Sequence, residues 1–423
     1  NTFQLIFGAD LSECRLILSH PPSWLFVLAC TRMSSQINEN ELISSYFRSG
    51  YTYLEICEFL KLHDIFMSLS TLKRRLKDLG LTRKDTYVVQ DEELKMAVED
   101  EIAGSSCFLG YRKVWARLRK KGIVVKRKRV MVMLKQLDPE GVESRTKKRL
   151  RRRLYHARGP NFIWHMDGHD KLKPYGFSIH GCIDGFSRKL IWLEVCPSNK
   201  KPEIIAKFYL DAVQNLGGVP ERVRSDDGTE NGVVEAIHTY LRSTHDPSST
   251  GLGSFLIGRS TSNQRIEAYW SQFVKDGPGW WMNFFKDMTD TGLFNSSDPV
   301  HNDCMRFCFM DILRKELNEV SELWNEHIIS STKFGNVNLP RGRPDTMYFL
   351  PHLYNTKDYN MKTNPDDVQE LINNETMSKD DYSKEFEEFA TIIMNEHNIL
   401  KPNNCKEALD LYLILIREVE NHS

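Results

Sequence analysis

Trp164-His165-Met166-Asp167-Gly168 is the stretch on which the reading of this chain turns. Residues 162–166 read as a β-strand with Asp167 at its end. Outward from it, 177–184 and 189–196 read as a hairpin with Gly185-Phe186-Ser187 in the turn. Residues 202–216 read as a helix ended by Gly217-Gly218, 222–225 as a short buried strand and 233–242 as a second helix. Three antiparallel strands followed by alternating helix and strand give an α/β layer order. Two further acids fall in marked settings. Asp226 lies in Val223-Arg224-Ser225-Asp226-Asp227-Gly228-Thr229-Glu230-Asn231, after the short strand. Glu267 lies in Ser262-Asn263-Gln264-Arg265-Ile266-Glu267, on a helix expected over 263–275. The loop 246–253, rich in Ser, Pro and Gly, is expected to be mobile and to lie beside these acids.

Taken singly, each acid has an ordinary reading. Asp167 could be a strand-end turn residue, Asp226 or Asp227 a turn cap, and Glu267 part of a solvated helix face. Taken together, carboxylates from two strand ends and a helix are a hard-oxygen set suited to Mg²⁺ or Mn²⁺. Two such ions can activate an attacking oxygen and stabilise the leaving one at phosphorus. Like charges held together should favour protons or divalent cations. Asp170 and Asp184 are nearby alternatives, and Asp184, before Gly185, is expected to shape the hairpin turn. His165 and His169 lack a spaced partner for zinc and read as supporting or surface residues.

The residues from about 161 to 270 resemble the catalytic core of retroviral-type integrases and related DDE transposases. Trp164 and Asp167 match the family's Trp-x-x-Asp. Ser225, Asp226, Gly228 and Glu230 match Ser/Thr-Asp-x-Gly-x-Glu/Asn, and Asn263 stands four residues before Glu267. The resemblance implies an RNase H-like core, a mixed five-stranded sheet flanked by helices. It also implies DNA strand transfer with Asp167, Asp226 and Glu267 as catalytic, metal-binding residues. Two positions depart from the pattern. Asp227 stands where the family often has Asn, which keeps the register of the second acid open by one position, and Gln264 stands where some members have Gly.

Upstream of the core the pattern is helical and basic. Three short helices are expected between 38 and 84, the second capped by Thr52 and the third, 71–79, capped by Ser70 and closed by Gly80. Leu72, Leu76 and Leu79 would face inward, and Lys73, Arg74 and Lys77 outward, as a recognition helix in a helix-turn-helix requires. A second such unit follows from 91 to 137. Its Gly-Tyr-Arg and Lys-Arg-Val runs resemble those before the core in bacterial insertion-sequence transposases, and Arg112, Lys113, Lys126, Arg127, Lys128 and Arg129 are its candidate DNA contacts. The block containing Lys147, Lys148 and Arg149 fits either a nuclear-localisation signal or a DNA-tracking linker.

The chain of 423 residues has a formal net charge of zero, but the average hides a basic first half and an acidic segment after Asn360. The nine cysteines are scattered without a Cys-x-x-Cys pair and read as buried thiols rather than a zinc module. Trp280, Trp281, Phe284 and Phe285 read as core, a helix is expected over 305–327, and 361–423 reads as an acidic helical pair.

The expected organisation is a leader over 1–32, helix-turn-helix domains over 33–88 and 89–144, and a basic linker over 145–158. A catalytic core with a helical extension over 159–330 and a linker with an acidic helical tail over 331–423 complete it. The apolar run 24–30 is too short to span a bilayer, so no membrane association is expected. The function this implies is metal-dependent DNA cleavage and strand transfer by a nuclear protein, of an active element or retained by its host. Its partners would be double-stranded DNA and further copies of itself on that DNA, with two Mg²⁺ or Mn²⁺ ions and no small-molecule cofactor. The alternatives are a catalytically idle DNA-binding protein and an RNase H-like nuclease without strand transfer.

Overall fold

The structure is a computed structural model, and it describes residues 38–81, 89–103, 109–139, 142, 157–245, 253–259, 262–330, 340–374 and 381–422. The expected leader, most of the basic linker and nearly all of the loop 246–253 lie outside the described residues. The chain divides into two compact units, residues 1–81 and 82–423.

In the first unit, α1 (Glu39–Arg48) is capped by the Asn38 side chain. A capping box between Thr52 and Glu55 opens α2 (Tyr53–Lys61), satisfying two backbone N–H groups at once. Helix α3 (Leu69–Asp78) begins earlier than the sequence suggests. Its cap is Ser68, which accepts from Thr71 N at 3.1 Å, whereas Ser70 lies inside the first turn. Tyr46, Tyr51 and Phe59 form an aromatic centre, with Leu72 and Leu76 buried beside it.

The second unit opens with α4 (Asp91–Ile102), α5 (Tyr111–Lys120) and α6 (Arg127–Leu137) around Leu94, Val98, Val114, Leu118, Val130 and Leu134. The strands β1 (Trp164–His169), β2 (Ser178–Asp184) and β3 (Leu190–Cys196) form an antiparallel meander. Helix α7 (Pro202–Leu216) ends at Gly217, whose φ of +66° suits a residue without Cβ. There follow β4 (Gly218–Val219), β5 (Val223–Ser225), α8 (Gly232–His245) and β6 (Phe255–Ile257). Helices α9 (Gln264–Phe273), α10 (Pro278–Asp290), α11 (Pro299–Glu326) and α12 (Pro344–Phe349) come next. The chain closes with β7 (Met361–Lys362), α13 (Pro365–Asn374), α14 (Lys384–Glu396) and α15 (Cys405–His422).

The main sheet has five strands in the order β3-β2-β1-β5-β6, with β5 and β6 parallel to the centre. This mixed sheet flanked by helices is consistent with an RNase H-like fold. Alternation along β1 sends Trp164 and Met166 to one face, where they pack with Tyr209, Leu210 and Val213 of α7 and Leu241 of α8. His165 and Asp167 point to the opposite face, toward α9. That second face carries the larger core, in which Ile179, Ile183 and Leu193 meet Trp281, Phe285, Phe309 and Trp324. The Trp280–Phe285 aromatics are therefore packing residues. Cys57, Cys182, Cys196, Cys304 and Cys308 are buried free thiols.

The acidic carboxy-terminal segment is integral to this unit. Phe386, Ala390, Ile393, Leu411, Tyr412 and Leu415 complete the larger core, and Val368 of α13 completes the other. Its described residues hold three helices rather than a pair, and Ile392 is exposed on the outer side of α14. The strand expected to end at Asp167 continues to His169, so Asp167 sits inside β1, opposite Gly181 of β2. Among the described residues no helix is long and apolar enough to cross a membrane.

Candidate active site

Three elements bring the acids toward one another. Asp167 projects from the central strand, Asp226 follows the last residue of the adjacent parallel strand β5, and Glu267 lies in the first turn of α9. Burial pushes the Asp167 carboxyl up to about 7 against the Trp270 N–H, and the charges of Asp226 and Glu267 add to the rise. Burial and then Asp226 raise Glu267 as well. Asp226 is thus the acid of the Asp226-Asp227 pair whose charge acts on both others. It is partly buried and accepts from Asn231 Nδ2 at 3.3 Å, whereas Asp227 is exposed.

Asn263 joins the helix to the strand. It is buried, and its Nδ2 donates to Met166 O at 2.8 Å while its Oδ1 lies 2.8 Å from His165 Nδ1. The residue before α9 therefore grips the strand on both sides of the backbone leading to Asp167. His165 is buried, and that burial lowers its pKa to about 3, so the ring is neutral. His169 is also buried, lowered to about 4, with its ring 5.1 Å from that of Trp270. Neither is a surface residue.

The neighbouring aspartates are otherwise engaged. Asp184 accepts from Asn161 N at 2.8 Å, Ser187 N at 2.8 Å and Ser187 Oγ at 2.7 Å, which makes it the organiser of the hairpin turn. Asp170 pairs with Lys173 at 2.6 Å and accepts from Asn199 at 2.7 Å.

Among the described residues no group of three or more His, Cys, Asp or Glu side chains is drawn together closely enough to hold a metal ion. The three acids are electrostatically coupled without forming such a closed cage. Their chemistry fits a hard divalent cation: all donors are oxygen, and two of the three carboxyls already favour neutralisation. Asp167, Asp226 and Glu267 are the residues that would hold it.

The candidate DNA contacts fall into three groups. Lys73, Arg74 and Lys77 are exposed on α3, with Lys73 Nζ 5.7 Å from the centre of the Tyr53 ring. Arg112, Lys126, Arg127 and Lys128 are exposed at the amino-terminal ends of α5 and α6. Lys113 and Arg129 carry internal contacts. Lys113 lies over the Trp324 ring at 5.9 Å, and Arg129 donates to Val89 O at 2.7 Å and Asp91 at 2.6 Å. Lys147, Lys148 and Arg149 lie outside the described residues.

Sequence reasoning missed two residues at the site. Trp270 Nε1 donates to Asp167 Oδ2 at 3.0 Å, and Gly181 leaves the space that the Trp270 ring fills. A glycine inside a strand signals close approach and could have pointed to Gly181.

With the sheet order and the acids in place, comparison with known families gives a concordant result. Residues 154–337 match the family model of the integrase core domain, consistent with a member of the integrase and RNase H-like superfamily. The match includes all three acids and the whole five-stranded sheet. No curated protein matches the chain.

Proposed function

We propose that this chain cuts and rejoins DNA, with Asp167, Asp226 and Glu267 as the catalytic carboxylates and Mg²⁺ or Mn²⁺, as two ions, as cofactor. The observation that carries this reading is that β1, β5 and α9 turn the three acids toward one another, close enough that the charge of Asp226 adds to the burial-driven rise of the other two. Bound divalent ions supply Lewis-acid stabilisation of phosphoryl oxygens and activation of the attacking oxygen. Asp167 projects from within the central strand, Asp226 follows the end of β5, and Glu267 lies on an exposed helix turn of α9. Asn263 keeps that turn against β1. Water would open the first phosphodiester, and the 3′-hydroxyl exposed would attack a second, so no Ser or Tyr nucleophile is required.

Double-stranded DNA as partner is supported by the placement of the cations. Lys126, Arg127 and Lys128 crowd the start of α6, which has no acid in its first turn. Cations at a helix amino terminus oppose the helix dipole, and a phosphate there relieves both. The exposed face of α3 offers a second phosphate contact. Assembly of several copies on DNA and action in the nucleus belong to the same proposal.

A second reading, a catalytically idle DNA-binding protein, is favoured by the absence of a closed metal cage among the described residues. Incubating the full chain with duplex DNA in Mg²⁺ and in excess chelator separates the two. Strand cutting or joining that requires the metal is expected. DNA binding without any product in Mg²⁺ or Mn²⁺ establishes the idle reading instead.

A further inference from the structure

Trp270 is three residues beyond Glu267 on α9, on the same side of the helix. Its indole donates to Asp167 Oδ2 at 3.0 Å, and the backbone N–H of Gly168 donates to the same carboxyl. An indole N–H is a donor only, so the contact has one polarity and cannot be exchanged by a side-chain flip. The ring is 6% exposed and is fixed on several sides, with His169 at 5.1 Å, Phe273 at 5.2 Å and Tyr269 at 5.3 Å between centroids. Below it lies Gly181, the cross-strand partner of Asp167. A Cβ there would meet Cη2 of Trp270 at 2.7 Å and Cζ2 at 3.3 Å. Residue 181 therefore has to be glycine for the indole to lie where it reaches Asp167.

We infer that Trp270 is a positioning residue for Asp167. Its N–H fixes the rotation of the carboxylate and so the direction in which the remaining lone pairs meet a divalent cation, with Gly181 providing the room. The inference rests on the metal-dependent reading above. A partner holding a metal-binding carboxylate typically changes metal affinity by about 10–100-fold when removed.

The test is Mn²⁺ binding by the full chain, read from the resonance of free Mn²⁺, alongside metal-free thermal unfolding. Wild type binds Mn²⁺ and Asp226→Asn does not. Trp270→Phe keeps its metal-free melting close to wild type but binds Mn²⁺ about tenfold more weakly. Gly181→Ala weakens binding in the same way by displacing the indole. In the double variant the alanine adds nothing, because the shorter Phe ring leaves residue 181 free. Wild-type affinity in Trp270→Phe, or independent addition of the two effects, overturns the inference while leaving the metal site standing. Absence of Mn²⁺ binding by wild type, or equal binding by Asp226→Asn, overturns the metal-dependent reading and the inference with it. Should Trp270→Phe fail to fold, Gly181→Ala decides alone, with unchanged affinity as the contradicting result.

Discussion

Asp167 concentrates the electrostatic cost of the site. Its pKa is raised from 3.8 to about 7, first by burial. A carboxyl raised on folding favours the folded state below its unfolded pKa, and that contribution is lost as pH rises through the folded value. In metal-free buffer Asp167→Asn should therefore match wild type near pH 4 and become the more stable protein above about pH 7. The gap is expected to reach roughly 2–4 kcal/mol, because each pKa unit corresponds to about 1.4 kcal/mol. Urea unfolding of both proteins across this range measures it. The buried neutral histidines titrate in both proteins and cancel in the difference. A gap that is constant with pH would mean that Asp167 is not held in a charge-hostile setting.

At the scale of elements, the helix caps and the strand–helix clamp make separate predictions. Ser68→Ala removes the acceptor for Thr71 N and should cost the first unit about 1 kcal/mol, whereas Ser70→Ala should stay within roughly 0.5 kcal/mol. Thermal unfolding of the two variants distinguishes them, and equal losses would return the cap to Ser70. Asn263→Ala removes the buried hydrogen bonds to Met166 O and His165 Nδ1 and should cost roughly 1–3 kcal/mol. It should also weaken the hold of α9 on β1, seen as faster amide exchange in the first turn of that helix. Unchanged exchange would show that packing alone seats α9.

These elements also show where sequence is sufficient. Helix α7 is legible to the residue because Pro202 opens it and Gly217 closes it. The order of β1, β2 and β3 follows from apolar runs separated by one turn. Strand β1 runs on through Gly168 because its neighbour β2 pairs with it as far as Ile179, a partner that local pattern does not contain. Strand β6 is three residues long, too short for any period to register. The acids stand out by their motifs, but Trp270 and Asn263 act through contacts about 100 positions away in sequence. Such pairings are tertiary facts.

At the scale of the molecule, the basic helices divide between holding the protein together and facing outward. Lys120 of α5 pairs with Glu322 at 2.8 Å and Glu326 at 3.5 Å, and Arg117 with Glu319 at 3.3 Å, so one side of α5 is docked on α11. The cations of α3 and of the starts of α5 and α6 face outward, where the proposed DNA partner would meet them. Binding of duplex DNA by the full chain should fall steeply with salt, through counterion release. Replacing Lys73, Arg74 and Lys77 by Glu should weaken it and flatten the log–log slope. Affinity that does not respond to salt would contradict this division.

Under the proposed function, Asp167, Asp226 and Glu267 form one metal-dependent site for DNA phosphodiester chemistry. The most direct measurement is Mg²⁺-dependent strand cutting and joining by wild type, Asp167→Asn, Asp226→Asn, Asp227→Asn and Glu267→Gln on the same duplex. Each isosteric change removes a charge with little change in size. Loss of about 10²-fold or more is expected for the changes at 167, 226 and 267, with folding and DNA binding retained, and near-wild-type product for Asp227→Asn. Metal-dependent product that survives all four substitutions, or that is lost only with Asp227→Asn, would contradict it.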